Sequence, residues 1–251
     1  MKWIHTADWL LGIELPNVYA QANRLRQARL ETVERILALA EHEGVDGVAV
    51  TGNVFADNRI DSRTVLALAD RLSRSAVPVY LVAGARDPYT PDSPYRRFRE
   101  RFGAPVQVVA ADHPDLRGLG AAPGTPEPID FGPPGSVLVV DVEAGTVASH
   151  DVAGYRWVEL SGDAASLEAA TGALERPLQT VLRVVLTGSS PAGELEARLG
   201  ARFFRVEMRD QTVAVEFPTP LLSGAAERVR ASKEDADVVR RALRKLAEMR
   251  A

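Results

Sequence analysis

The chain of 251 residues has no cysteine, so disulfides, thiolate metal sites and thiol chemistry are all excluded. Histidine is scarce as well. His5, His42, His113 and His150 are the only four, and no two lie close enough to form a His-x-His pair of metal ligands. No apolar run approaches the roughly 18 residues that span a bilayer, and no signal-peptide core follows Met1, so the chain is expected to be cytoplasmic with no membrane partner. An excess of positive charge is missing too: 30 basic residues face 34 acidic ones, for a net charge of −4. Any contact with nucleic acid must then be local.

What is present is ordinary globular composition, 46% hydrophobic and 25% charged, in a chain long enough to bury a large core. Apolar runs at residues 3–6, 45–51 and 77–83 read as buried strands. Between them, residues 24–42 place Leu25, Leu30, Val33, Ile36 and Leu39 at helical spacing and stop at Gly44, a C-cap signal. Asp61-Ser62 opens a second helix through Val65, Leu68 and Leu72. Strands separated by helices of this length imply parallel pairing with right-handed crossovers, an α/β arrangement whose functional loops gather at the carboxyl ends of the strands.

Three loops fall at such ends: Asp8-Trp9-Leu10, Gly52-Asn53 and Gly84-Ala85-Arg86-Asp87. Together they resemble the metal-ligand loops of the SbcD nuclease family within the calcineurin-like metallophosphoesterases, which run Asp-x-His, Gly-Asp and Gly-Asn-His-Asp. Pro123-Gly124-Thr125-Pro126-Glu127-Pro128 resembles a further segment that in the family follows a Gly-His-x-His loop, here absent. The resemblance implies a shortened metallophosphoesterase sandwich at 1–150 with a deletion near 111–123, a small α+β capping domain at 151–220 and a partner-binding C-terminal helix at 221–251.

It also implies degraded chemistry. Where the family holds two manganese ions, Asp8 survives but Leu10, Asn53, Ala85 and Arg86 replace ligands, so no catalytic residue, no intact metal site and no cofactor are expected. Two-metal cleavage needs a bridging carboxylate, and a neutral amide offers no charge to offset two cations. A guanidinium repels a cation outright. The expected function is therefore a nuclease-dead homologue of the SbcD subunit, leaning away from an enzyme. Alternatives are a residual manganese-dependent exonuclease or phosphoesterase built on Asp8, Asp57 and Asp87, and a structural or regulatory module without a DNA role. Arg86 is expected to pair with Asp8 in place of the lost metals.

Two basic clusters are candidates for DNA contact. One is Arg96, Arg97, Arg99 and Arg101, with Phe98 and Phe102 at helical spacing; the other is Arg24, Arg26 and Arg29 on the first helix. Residues 232–249 form an amphipathic pattern whose stripe includes Val239, Leu243 and Leu246. By resemblance this is where the family docks on the coiled coil of an SbcC-like ATPase of SMC type. The helices at 24–42 and 60–73 carry more Leu, Ile and Val than one buried stripe requires, which suggests a homodimer or a heterodimer with a paralogue.

Overall fold

The computed structural model describes residues 1–109, 119, 123–188 and 192–212. Within them lie a six-stranded sheet and a three-stranded sheet, flanked by helices. The large sheet has β1 (Lys2–Thr6), β2 (Gly47–Thr51), β3 (Val79–Val82), β4 (Val106–Val109), β5 (Ser136–Asp141) and β6 (Thr146–Asp151), in the order β4-β3-β2-β1-β5-β6. β1 to β4 run parallel, and β5 enters antiparallel to β1 with β6 folded back beside it.

The apolar runs form central strands because both of their faces are covered. Ile4, Val48, Val50, Val79 and Leu81 pack with Val33 and Ile36 of α1 (Ala22–Glu43) and Val65, Leu68 and Leu72 of α2 (Ser62–Leu72). Trp3 and Ala49 belong to a smaller cluster with Leu119 and Val140 on the opposite face. The caps act as their chemistry predicts. Gly44 takes a left-handed conformation with φ of 59°, and its N–H donates to the carbonyls of Ala40 and Glu41; the Asp61 carboxylate accepts from the Thr64 N–H.

The second unit is a parallel β-α-β-α-β run of β7 (Arg156–Gly162), α4 (Ala164–Gly172), β8 (Thr180–Leu186), α5 (Ala192–Arg202) and β9 (Arg205–Asp210), with β8 central. Its helices cover Leu182, Val184 and Leu186. Residues 213–220 of the expected capping domain and the C-terminal helix with Val239, Leu243 and Leu246 lie outside the described residues, as do His113 and most of the suspected deletion.

The surplus apolar surface of α1 has a partner within the chain. Ala22, Leu25 and Ala28, one helical half away from the contact with the large sheet, pack with Tyr155 and Val181 and beside Phe204. A helix with two apolar faces here joins two sheets, which accounts for the apolar residues of α1 beyond one stripe. The same packing takes Arg29 out of the basic cluster read on α1. Arg29 is buried and donates to the carbonyls of Trp9 at 3.1 Å and Pro128 at 3.0 Å, and Arg24 lies 5.7 Å from the Phe204 ring.

Candidate functional site

The three loops do converge at the carboxyl ends of β1, β2 and β3. Asp8 donates its N–H to the Gly52 carbonyl at 3.0 Å, and Leu10 donates to the Asn53 carbonyl at 3.0 Å. Leu11 and Phe55 then continue as a parallel bridge. Gly84 meets Asn53 so closely that a Cβ on it would stand 2.3 Å from the Asn53 backbone nitrogen and 2.3 Å from its side-chain Oδ1. Only glycine allows that approach.

The backbone of these loops is unusual. Asp8, Leu10 and Asn53 all have positive φ, at 51°, 49° and 52°. Aspartate and asparagine tolerate that region, but for a leucine it costs about 1–2 kcal/mol. Leu10 is also buried and offers no ligand atom.

At the centre stands one hydrogen bond. The Asn53 Nδ2 donates to Asp8 Oδ1 at 2.6 Å, while its Oδ1 accepts the Arg86 N–H at 3.0 Å. An amide can bridge a carboxylate on one side and a backbone N–H on the other because it carries both a donor and an acceptor. An aspartate in its place would oppose two negative oxygens and would need cations to relieve them. Asn53 thus closes the loops by itself.

Arg86 does not perform the task expected of it. Its side chain is exposed and forms no ion pair with Asp8; what it gives the site is its backbone N–H. The charge partner of Asp8 is the amide dipole. The Ala85 side chain is exposed and offers no ligand atom.

Asp87, placed by the alternative reading among residual metal ligands, is fully committed elsewhere. It is 0% exposed. Its Oδ1 accepts the Gly84 N–H at 2.8 Å, and its Oδ2 accepts the Phe55 N–H at 2.9 Å together with the Tyr95 hydroxyl. Burial first, then the negative charge of Asp87, pushes the Tyr95 phenol far above its ordinary range, so it stays protonated and donating. Asp57 is exposed and accepts its own loop's Arg59 N–H at 2.5 Å. The set Asp8, Asp57 and Asp87 therefore does not assemble, and among the described residues no group of three or more potential ligands does.

His5 lies just below the site on β1. It is buried, shares a 2.8 Å hydrogen bond with the Thr51 hydroxyl, and burial lowers its pKa. It reads as a neutral core imidazole.

Sequence reasoning missed a second polar centre. Glu127, from the segment between Pro126 and Pro128, is only 2% exposed. Its carboxylate accepts from the Thr32 hydroxyl at 2.6 Å and from the N–H groups of Gly154 at 2.6 Å and Tyr155 at 2.8 Å, with the Arg35 guanidinium 3.5 Å away. Burial brings the Arg29 guanidinium down to about 10, and the charge of Glu127 opposes that fall. Nearby, Thr125 donates to the Asp8 carbonyl at 2.8 Å, and Phe131 stacks on Arg183 with 3.8 Å between guanidinium carbon and ring centre. Arg183 itself bridges Glu159 and Glu207 at 2.9 and 3.1 Å. The segment 123–131 is therefore a strap from the site to the small sheet. An acidic residue between two prolines, with no helix to place it on, was the only signal available.

Of the basic candidates, Arg96 and Arg97 end α3 (Pro94–Arg97), which is four residues long rather than a helix through Phe102. Pro94 can only begin such a helix, and Gly103 with Pro105 close behind leaves no room to extend it. Arg96, Arg97, Arg99 and Arg101 are all exposed, while Tyr95 and Phe102 are buried.

No protein-family model matches the chain, and no curated protein matches it. Among solved structures, the crystal structure of TT1561 of Thermus thermophilus is similar at 16% identity, covering 82% of this chain and 80% of that one, with a TM-score of 0.30. A TM-score that low carries no argument about fold or function.

Proposed function

We propose that this chain is a metal-free relative of the SbcD nuclease subunits in the calcineurin-like superfamily, cytoplasmic, retained to bind DNA and to scaffold an SbcC-like ATPase rather than to cut. The observation that supports this is the hydrogen bond from the Asn53 amide to Asp8, because it fills with one neutral group the position where two-metal chemistry needs a bridging anion. The left-handed residues Asp8, Leu10 and Asn53 fit the reading: strained backbone clusters where a scaffold is shaped for a site, and here the shape persists without the ligands. Docking on the ATPase coiled coil is assigned to Val239, Leu243 and Leu246, and self-association or pairing with a paralogue is part of the same proposal.

The test is incubation of the pure protein with single- and double-stranded DNA and manganese. No cleavage is expected. Cleavage that requires manganese and disappears in Asp8→Ala overturns the reading. For the partner, a pull-down of an SbcC-like ATPase by the full chain should weaken by about 2 kcal/mol or more in Leu243→Ala or Leu246→Ala if these are central anchors.

A further inference from the structure

Some arginines of this molecule are matched with a carboxylate: Arg71 with Glu34, Arg74 with Asp70, Arg156 with Asp151, Arg183 with Glu159 and Glu207, and Arg198 with Glu168. Others, Arg24, Arg59, Arg63, Arg176 and Arg202 among them, are exposed and form no ion pair among the described residues. Residues 86–101 hold a run of such arginines. Arg86, Arg96, Arg99 and Arg101 are exposed and form no ion pair among the described residues, on a protein whose net charge is −4. Unpaired cations gathered on an acidic protein point to a polyanion.

An aromatic ring stands beside one of them. Tyr89 is 40% exposed, and the Arg96 guanidinium lies 5.7 Å from its ring centre. The ring is held from below. Tyr89 is 6.4 Å from the buried Tyr95 ring, whose hydroxyl is locked on Asp87. Asn58 pins the loop from the side, donating to the Pro88 carbonyl and the Thr90 hydroxyl at 3.0 Å each while its own backbone carbonyl accepts from Arg97 at 2.9 Å. A half-exposed tyrosine on a pinned loop, with the Arg96 guanidinium beside its ring and Arg86 three residues before it in the chain, has the parts that single strands use: a ring for an unstacked base and cations for phosphates.

We infer that Tyr89 with Arg86 and Arg96 is a stacking platform for single-stranded nucleic acid, with Arg99 and Arg101 extending its cationic flank. This rests on the DNA-binding half of the proposed function and adds which strand form is preferred and where it sits. Duplex bases are stacked on one another and cannot reach Tyr89, so a duplex meets only the arginines.

The experiment is fluorescence anisotropy of a labelled oligothymidylate and of a duplex of equal length, each titrated with the full chain at several salt concentrations. Tyr89→Ala is expected to weaken single-strand binding about tenfold and Tyr89→Phe to leave it unchanged, since stacking on one ring contributes on the order of 1–3 kcal/mol. Replacing both Arg86 and Arg96 by Ala should reduce the salt slope by about 1.4, near 0.7 for each phosphate no longer neutralised. Melting curves confirm that each variant is folded. Binding by Tyr89→Ala equal to the parent, or a duplex bound as tightly as the single strand, overturns the platform while leaving the wider reading intact. If the parent chain binds no DNA of either form, the platform and the DNA-binding half of the reading fail together.

Discussion

The carboxyl edge of the large sheet and the junction around Glu127 both tie together segments distant in sequence, and they do so with opposite chemistry. At the edge, Asp8 is met by a neutral amide and the one fully buried carboxylate, Asp87, serves backbone N–H groups and a phenol. At the junction, a buried carboxylate is met by guanidinium groups: Glu127 lies 3.5 Å from Arg35 and feels the charge of Arg29. A carboxylate is met by a dipole at the edge and by cations where two structural units meet. A buried ion pair is costly to build but more costly to halve, so the junction is the more brittle of the two.

That ranking can be broken by measurement. Glu127→Ala leaves Arg29 and Arg35 facing a void and frees the N–H groups of Gly154 and Tyr155, and should cost about 3–5 kcal/mol. Urea denaturation measures it, as a lowered midpoint at unchanged slope. Asp87→Ala, which orphans two N–H groups and the Tyr95 hydroxyl, should cost about 3 kcal/mol by the same measurement. If it costs more than Glu127→Ala, the ranking is reversed.

Asn53→Ala removes the latch and should destabilise by about 1–2 kcal/mol. Asn53→Gly should cost less, because glycine relaxes the φ of 52° that alanine must hold under strain. Equal costs for the two would mean that the conformation of Asn53 contributes nothing.

The smallest effect concerns pH. Burial lowers the pKa of His5 in the folded state below its ordinary value of 6.5. The unfolded chain therefore takes up that proton first, and stability present above the unfolded pKa is lost as pH falls through it towards the folded value. Melting temperature against pH should fall below about 6.5 in the parent and less in His5→Gln. Parallel curves would remove His5 from the account.

The edge is far more legible in the sequence than the junction, for a physical reason. The strands of the large sheet announce themselves because central parallel strands are apolar on both faces, and each site loop follows directly from its strand. Gly44 and Asp61 announce the helix ends because capping is local chemistry. Glu127 is decided by partners such as Thr32, 95 positions away, and Arg29 by Pro128, 99 positions away. No spacing rule on α1 separates a buried arginine from a solvated one. Arg86 misleads for a related reason: residue type suggests a charge pair with Asp8, but the loop turns the side chain outward and spends the backbone N–H on Asn53. The short α3 invites over-reading because Phe98 and Phe102 keep helical spacing although turns, not helix, connect them.

The central claim is that Asn53, rather than ions, closes the edge of the large sheet. Thermal melting of the full chain in excess manganese and in chelator tests it most directly, since a ligand at a hundred times its Kd stabilises the folded state by about 2.7 kcal/mol. The two curves should coincide. A rise in melting temperature with manganese that is abolished in Asp8→Ala would place a cation at this site and contradict the account.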